Sequence, residues 1–176
     1  MSDPNIEEIF ALIPKVTQEE KDQLVSAYNF AKKAHEGQKR NSGEPYFTHV
    51  FQTAKTLAGL GMDIKTVMAG FLHDTLEDTE TTEEELEKEF SKEIVTLVNG
   101  VTKLGKLKYR GRERHLESLR KFFLAITEDI RILIIKLADR LHNVQTLEYV
   151  KPEKQKRIAL ESIEIHARLA DRIGMG

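Results

Sequence analysis

The chain contains no cysteine. That excludes a disulfide framework and a thiolate zinc site, and it is compatible with a cytoplasmic location. Charge of one sign is also missing. Lys and Arg number 27 against 29 Asp and Glu, a net charge of −2, so there is no global signal for nucleic acid or a membrane surface. No apolar run approaches membrane-spanning length. The N-terminus, Met1-Ser2-Asp3-Pro4-Asn5-Ile6-Glu7-Glu8, is acidic and lacks the apolar centre of a secretion signal. There is no internal repeat, low-complexity segment or hairpin signal. What is present is a 176-residue chain, 40% hydrophobic and 32% charged. That is the profile of one soluble globular domain with a real core, spanning residues 1–176.

Helical signals run from end to end. Thr17-Gln18-Glu19-Glu20 reads as a capping box. Leu24, Tyr28, Ala31 and His35 follow at helical spacing, and Gly37 closes the element. Residues 37–45 form a polar loop. The next helix is expected from about Tyr46 to Leu60, ending at Gly61. Asp63 caps a third helix, which carries His73 and Asp74. Thr82-Glu83-Glu84-Glu85 opens a short helix that ends near Phe90, and Ser91 caps another that ends near Gly100. Residues 103–112 lack periodicity and read as a flexible loop. Leu116, Leu119, Phe122, Phe123 and Ile126 mark one further helix face. The stretch from Ile130 begins like a strand, but its length favours a buried helix. Pro152 starts the last helix, with Ile158, Ser162, Ile165 and Leu169 on one side. The expectation is an all-α, compact bundle of roughly eight to ten helices.

The most informative stretch is His73-Asp74-Thr75-Leu76-Glu77-Asp78. The apolar run Val67-Met68-Ala69-Gly70-Phe71-Leu72 leads directly into it. Charged groups delivered by such a run are costly to bury unless they are paired or bound to a cation. Glu77 and Asp78 lie four residues beyond His73 and Asp74, one helical turn on, where a carboxylate can take a proton from activated water. They also read as solvated acids at a helix end. Asp139 sits in the most apolar helix, within Lys136-Leu137-Ala138-Asp139-Arg140-Leu141-His142-Asn143. It is either paired with Arg140 or Lys136, or a metal ligand with Asn143 one turn further on its face. His49 in Tyr46-Phe47-Thr48-His49 is a core histidine or a fourth ligand. Two His and two carboxylates suit divalent manganese, iron, cobalt or zinc. A metal bound there acidifies its water and polarises a phosphoryl oxygen.

Charge is distributed in blocks. Residues 74–93 carry ten acids against two lysines, and residues 103–114 carry six basic side chains against one glutamate. Such blocks serve as solvated faces, and a basic segment near a metal site also suits a polyanionic substrate.

Four stretches together carry a family resemblance. They are Arg40-Asn41-Ser42-Gly43-Glu44-Pro45-Tyr46 followed by His49, then His73-Asp74-Thr75-Leu76-Glu77-Asp78-Thr79, then Gly100-Val101-Thr102-Lys103-Leu104, then Lys136 through Asn143. In order and spacing they resemble the RelA/SpoT-type hydrolase domain of the HD metal-dependent phosphohydrolase superfamily, over about residues 20–174. The resemblance implies an HD-domain architecture and a cytoplasmic enzyme. It implies hydrolysis of the 3′-pyrophosphate of the alarmones ppGpp and pppGpp to GDP and GTP, with one Mn²⁺ or another divalent transition metal. The small-molecule partner is a guanine nucleotide, with no nucleic acid and no membrane. By the same resemblance His49, His73, Asp74 and Asp139 are the metal ligands, and Glu77 and Asp78 act on the attacking water and the leaving group. Arg40, Ser42, Lys103, Asn143 and Thr146 bind substrate. The segment 165–174 is similar to the junction at which long family members enter a synthetase domain. The chain is therefore expected to be a free-standing hydrolase or the N-terminal part of a longer protein, without synthetase activity of its own. Two other readings stand beside this one: an HD phosphohydrolase acting on a different nucleotide, and a non-catalytic alarmone-binding regulatory domain.

Overall fold

The computed structural model describes residues 4–105 and 128–175. Among them every regular element is helical, and the only strand-like pairing is one isolated bridge between Lys39 and Pro45. The elements are α1 (Glu7–Phe10), α2 (Gln18–Ala34), α3 (Phe47–Gly59), α4 (Ile64–Leu72), α5 (Thr75–Asp78), α6 (Glu83–Glu89), α7 (Lys92–Gly105), α8 (Ile130–Gln145) and α9 (Pro152–Glu161). A π-helical turn, Ser162–His166, then leads into α10 (Ala167–Arg172). The helix face expected around Leu116–Ile126 and the basic residues 106–114 lie outside the described residues.

The local start signals act where the sequence puts them. Thr17 and Thr82 each accept a backbone N–H from the residue three on, and Glu20 and Glu85 reach back, so both capping boxes are complete. Asp63 caps α4 through the Thr66 N–H. Asp129 caps α8 by accepting the Arg131 N–H at 2.9 Å. Arg131 also pairs with Glu93 at 2.8 Å and Asp63 at 3.6 Å, joining the N-terminal ends of α4, α7 and α8.

Two expected boundaries differ. Helix α7 does not end near Gly100 but runs through it to Gly105, so residues 103–105 are helical rather than loop. Gly100 is a packing glycine: a Cβ there would lie 2.3 Å from the Ile132 Cδ1 of α8. The helix expected to carry His73 and Asp74 stops at Leu72, and α5 begins afresh at Thr75. Side chains take the carbonyls at the break. His73 Nδ1 bonds the Gly70 carbonyl oxygen at 2.8 Å, and the Thr75 hydroxyl donates to the Leu72 carbonyl at 2.7 Å. The short α1, with Ile9 fully buried, has no counterpart in the sequence reading.

Helix α4 is the centre of the bundle, packed against α2, α3, α7 and α8, and seven of its nine residues are buried, Thr66 through Leu72. Phe51, Leu57, Phe71, Leu72, Leu97, Ile132, Leu133 and Ile135 fill the core. The Tyr28 ring meets Phe47 and Phe71 edge-on, at 4.9 and 5.8 Å between centroids. Helices α3 and α4 touch at Gly70, where a Cβ would lie 2.5 Å from Leu57 Cδ1 and 3.2 Å from the Ala54 Cα. This contact sets the separation of His49 on α3 from His73 just after α4.

These spaces predict opposite outcomes for two Gly→Ala changes. At Gly59, where nothing lies within 4 Å of a new Cβ, alanine should stabilise by up to about 1 kcal/mol through helix propensity. At Gly70 the clash with α3 outweighs that gain, with overpacking costing about 1–3 kcal/mol. Urea unfolding midpoints should therefore rise for Gly59→Ala and fall for Gly70→Ala.

Candidate active site

The break between α4 and α5 turns His73 and Asp74 toward α3 and α8. His49, His73 and Asp74 each offer a ligand atom within 4.8 Å of the other two. Asp139 of α8 lies beside them, its Oδ1 3.2 Å from His49 Nε2 and 3.9 Å from His73 Nε2. Asp74 Oδ2 is 3.4 Å from His49 Nε2 and 3.2 Å from His73 Nε2. Four side chains from three parts of the chain thus converge on one point.

Tautomers are set from behind. His73 Nδ1 donates to the Gly70 carbonyl, which turns Nε2 toward the cluster. His49 Nδ1 lies 2.8 Å from His142 Nδ1. Burial, with His49 and Arg40 nearby, depresses the His142 pKa to about 4. The two rings thus share one Nδ1–Nδ1 hydrogen bond behind the site, which holds His49 with its Nε2 toward the carboxylates. Sequence reading missed this role, although His142 lies one turn from Asp139 on α8.

The carboxylates are held charged. Burial alone would raise the Asp74 pKa, but His73 and His49 hold it well below the ordinary value. Burial opposes ionisation of Asp139 as well, and Lys136 and the two histidines outweigh it. Lys136 Nζ sits 2.6 Å from Asp139 Oδ2, so the Lys136 pairing occurs alongside the histidine cluster. Arg140 pairs instead with Glu161 at 3.5 Å.

Beside the cluster opens a cleft of about 770 Å³. Tyr46, Glu77, Lys136, Asp139 and Asn143 line it together with Arg140, Lys154 and Arg157. Arg40 reaches in from the loop before α3, donating to Asn143 Oδ1 at 2.8 Å and Thr146 Oγ1 at 3.3 Å. Asn143 in turn donates to Asp139 Oδ1. Arg40, Asn143 and Thr146 therefore form one hydrogen-bonded set. Ser42 instead pairs with Glu44 at 3.1 Å, and Lys103 is exposed on α7; neither lines the cleft. Asp78 receives the Tyr46 hydroxyl at 2.6 Å. Glu77 reaches toward Gly105, where a Cβ would come within 2.7 Å of its Oε2.

A family model for the HD domain matches residues 27–176. The chain belongs to the HD-domain family. Similar proteins include guanosine-3′,5′-bis(diphosphate) 3′-pyrophosphohydrolase of Aquifex aeolicus, 49% identical over 154 residues, which are 88% of this chain and 22% of that protein. The GTP pyrophosphokinase of Streptomyces coelicolor is 49% identical over 162 residues, 92% of this chain and 19% of that one. The bifunctional (p)ppGpp synthase/hydrolase SpoT of Escherichia coli K12 is 48% identical over 153 residues, 86% and 22% of the two chains. The chain spans about a fifth of the length of these curated relatives. A solved structure of a metazoan ortholog of SpoT, described as hydrolysing ppGpp, shares the fold with a TM-score of 0.64 at 21% identity. The match covers 93% of this chain and 99% of that one.

An HD domain binds a divalent metal ion, and the residues here fit one. His73 Nε2 is fully buried with no well-aligned hydrogen bond, and the polar groups nearest it include the Asp74 and Asp139 carboxylate oxygens at 3.2 and 3.9 Å, so nitrogen and carboxylates face one point as ligands of a shared ion do. The two-nitrogen, carboxylate donor set suits a divalent transition ion. No helix among the described residues of this HD domain is long and apolar enough to cross a membrane.

The histidines give the metal-free HD domain a defined pH dependence. Burial depresses the pKa of His142 and of His166 from 6.5 to about 4. Unfolding therefore takes up protons between those values, and stability falls as pH is lowered through that window. His73 acts in the opposite sense. Burial disfavours its charge, yet Asp74 and Asp139 raise its pKa from 6.5 to about 9. Its contribution is fully present below 6.5 and is lost as pH rises to about 9. The urea midpoint of chelator-treated protein should peak near pH 6.5, and a midpoint that climbs steadily from pH 4 to 9 would contradict these shifts.

Proposed function

We propose that residues 1–176 form one cytoplasmic hydrolase domain that removes the 3′-pyrophosphate of ppGpp and pppGpp, releasing pyrophosphate and GDP or GTP. Mn²⁺ is the ion proposed for the site, held by His49, His73, Asp74 and Asp139. The observation that carries this reading is a single cleft lined by Asp139 of the His–Asp cluster, by Glu77, and by the cations Arg40, Lys136, Arg140, Lys154 and Arg157. A cleft that combines a metal-ligand set and a carboxylate with several cations suits a nucleotide bearing phosphates at two positions. The names of the relatives point to the same substrate.

In this reading Arg40, Asn143 and Thr146 receive the nucleoside, with Arg40 fixed by the other two. Ser42 and Lys103 belong to its binding set only if the substrate draws them in. When bound, the ion supplies charge stabilisation for phosphoryl oxygens and makes water a stronger acid. Glu77 and Asp78 handle protons: one carboxylate accepts a proton from the attacking water and the other returns one to the departing 3′-oxygen. The bond formed is between water oxygen and phosphorus. The bond broken joins that phosphorus to the 3′-oxygen.

Incubating the purified protein with Mn²⁺ and ppGpp should yield GDP and pyrophosphate. His73→Ala and Asp139→Ala should abolish turnover and lower bound metal, which also lowers thermal stability by linkage. Full activity with full metal content in both variants would sink the ligand assignment.

Glu77→Gln and Asp78→Asn should keep metal and nucleotide binding while turnover falls about 10²-fold or more. Loss of metal in these variants would instead make the two residues ligands.

His142→Ala removes the hydrogen-bond partner behind His49 without removing a proposed ligand. Metal affinity, read by titration with a competing chelator, should weaken by about 10- to 100-fold.

A further inference from the structure

Asp78 is the last residue of the four-residue helix α5, and its neighbour Thr79 is already extended. It is exposed. A carboxylate at the end of a single helical turn has little of its own backbone to fix it, yet proton transfer requires reach to within hydrogen-bond distance. The structure supplies the missing restraint from another part of the chain.

Two side chains of the segment before α3 converge on Asp78, and a third supports them. Gln38 Nε2 donates to the Asp78 backbone carbonyl at 2.7 Å. The Tyr46 hydroxyl lies 2.6 Å from Asp78 Oδ2 and 2.8 Å from Asp74 Oδ2, so one hydroxyl tethers the exposed carboxylate to the buried one. His35 supports both. Its ring stacks on Tyr46 with centroids 4.8 Å apart and planes 17° from parallel, and its Nδ1 bonds Gln38 Oε1 at 2.8 Å. That bond settles the Gln38 amide with its NH₂ toward Asp78. Gln38 and Tyr46 are also joined directly, because the Tyr46 N–H donates to the Gln38 carbonyl at 2.9 Å. Asp78 is thus gripped by backbone and carboxylate at once, from a unit that is itself cross-linked and rests on a residue only 2% exposed, His35.

We infer that Gln38 and Tyr46, seated on His35, are positioning residues that hold the Asp78 carboxylate where it moves protons. This rests on the proposed role of Asp78 in hydrolysis. Gln38 touches none of the four cluster side chains, so its effect is separable from metal binding. Tyr46 contacts Asp74 as well, so its variant needs metal content measured beside rate.

The test combines Gln38→Met and Tyr46→Phe, each alone and with Asp78→Asn, measuring kcat, KM, bound Mn²⁺ and melting temperature with ppGpp as substrate. Alone, each should lower kcat by about 10- to 100-fold, the range for a misplaced reacting group. KM should stay within about twofold, because binding contacts are kept. With Asp78→Asn already present, neither should lower kcat further, since the group they position no longer transfers protons. Gln38→Met should leave bound Mn²⁺ unchanged. Unchanged kcat in Gln38→Met, a loss confined to KM, or a full multiplicative loss on top of Asp78→Asn would each overturn the inference. If Asp78→Asn alone keeps full kcat, the proposed role of Asp78 fails, and the positioning role falls with it for that separate reason. Should Tyr46→Phe fail to fold, Gln38→Met decides the matter by itself.

Discussion

The Asp74 and Asp139 carboxylates sit almost out of contact with water, and the rest of the site is arranged around keeping them charged there. Their side chains are 13% and 5% exposed. Ionised groups at that depth are tolerated only with partners of opposite charge or well-placed donors. His49 and His73 flank both. Lys136 takes the second oxygen of Asp139, Asn143 donates to the oxygen that faces the histidines, and the Tyr46 hydroxyl takes Asp74. Removing one partner leaves an uncompensated buried charge, so these residues stand or fall as a set.

That set reaches the surface through α8. Within eight residues this helix presents Lys136 and Asp139 to the cluster, His142 to the back of His49, Asn143 to Arg40 and Arg140 to the cleft wall. Its first two turns, with Ile132, Leu133 and Ile135, are locked into the core. Because Ile132 fills the space left by Gly100, the depth of the helix in the bundle is fixed by apolar contact at a distance from the chemistry. The polar residues then inherit an exact placement that none of their own hydrogen bonds would have to establish.

What could be seen in the sequence follows the range over which each cause acts. The caps at Thr17, Asp63 and Thr82 are complete within four residues, so the chain announces them locally. The His–Asp pair after an apolar run, and Asp139 in an apolar helix, also stood out because burying charge is costly wherever it occurs. Gly100 misled because a glycine that ends a helix and one that admits a neighbouring side chain look alike until Ile132 is known to lie opposite. The break at His73 depends on side chains capturing the Gly70 and Leu72 carbonyls, which periodicity does not register. Tyr46, Gln38 and His142 act through partners 28 to 93 residues away, and no spacing rule encodes those meetings.

The π-helical turn at Ser162–His166 has a bearing on how this fold varies. A turn closed by i→i+5 bonds holds an additional residue, so everything after it is rotated by about 100° relative to an unbroken α-helix. Around this turn the adjacent Ile165 and His166 are both buried, at 2% and 3% exposure, Leu169 follows in the core, and His166 lines the cleft. A chain of the same fold without the extra residue would align with this one through a single-residue gap in that turn.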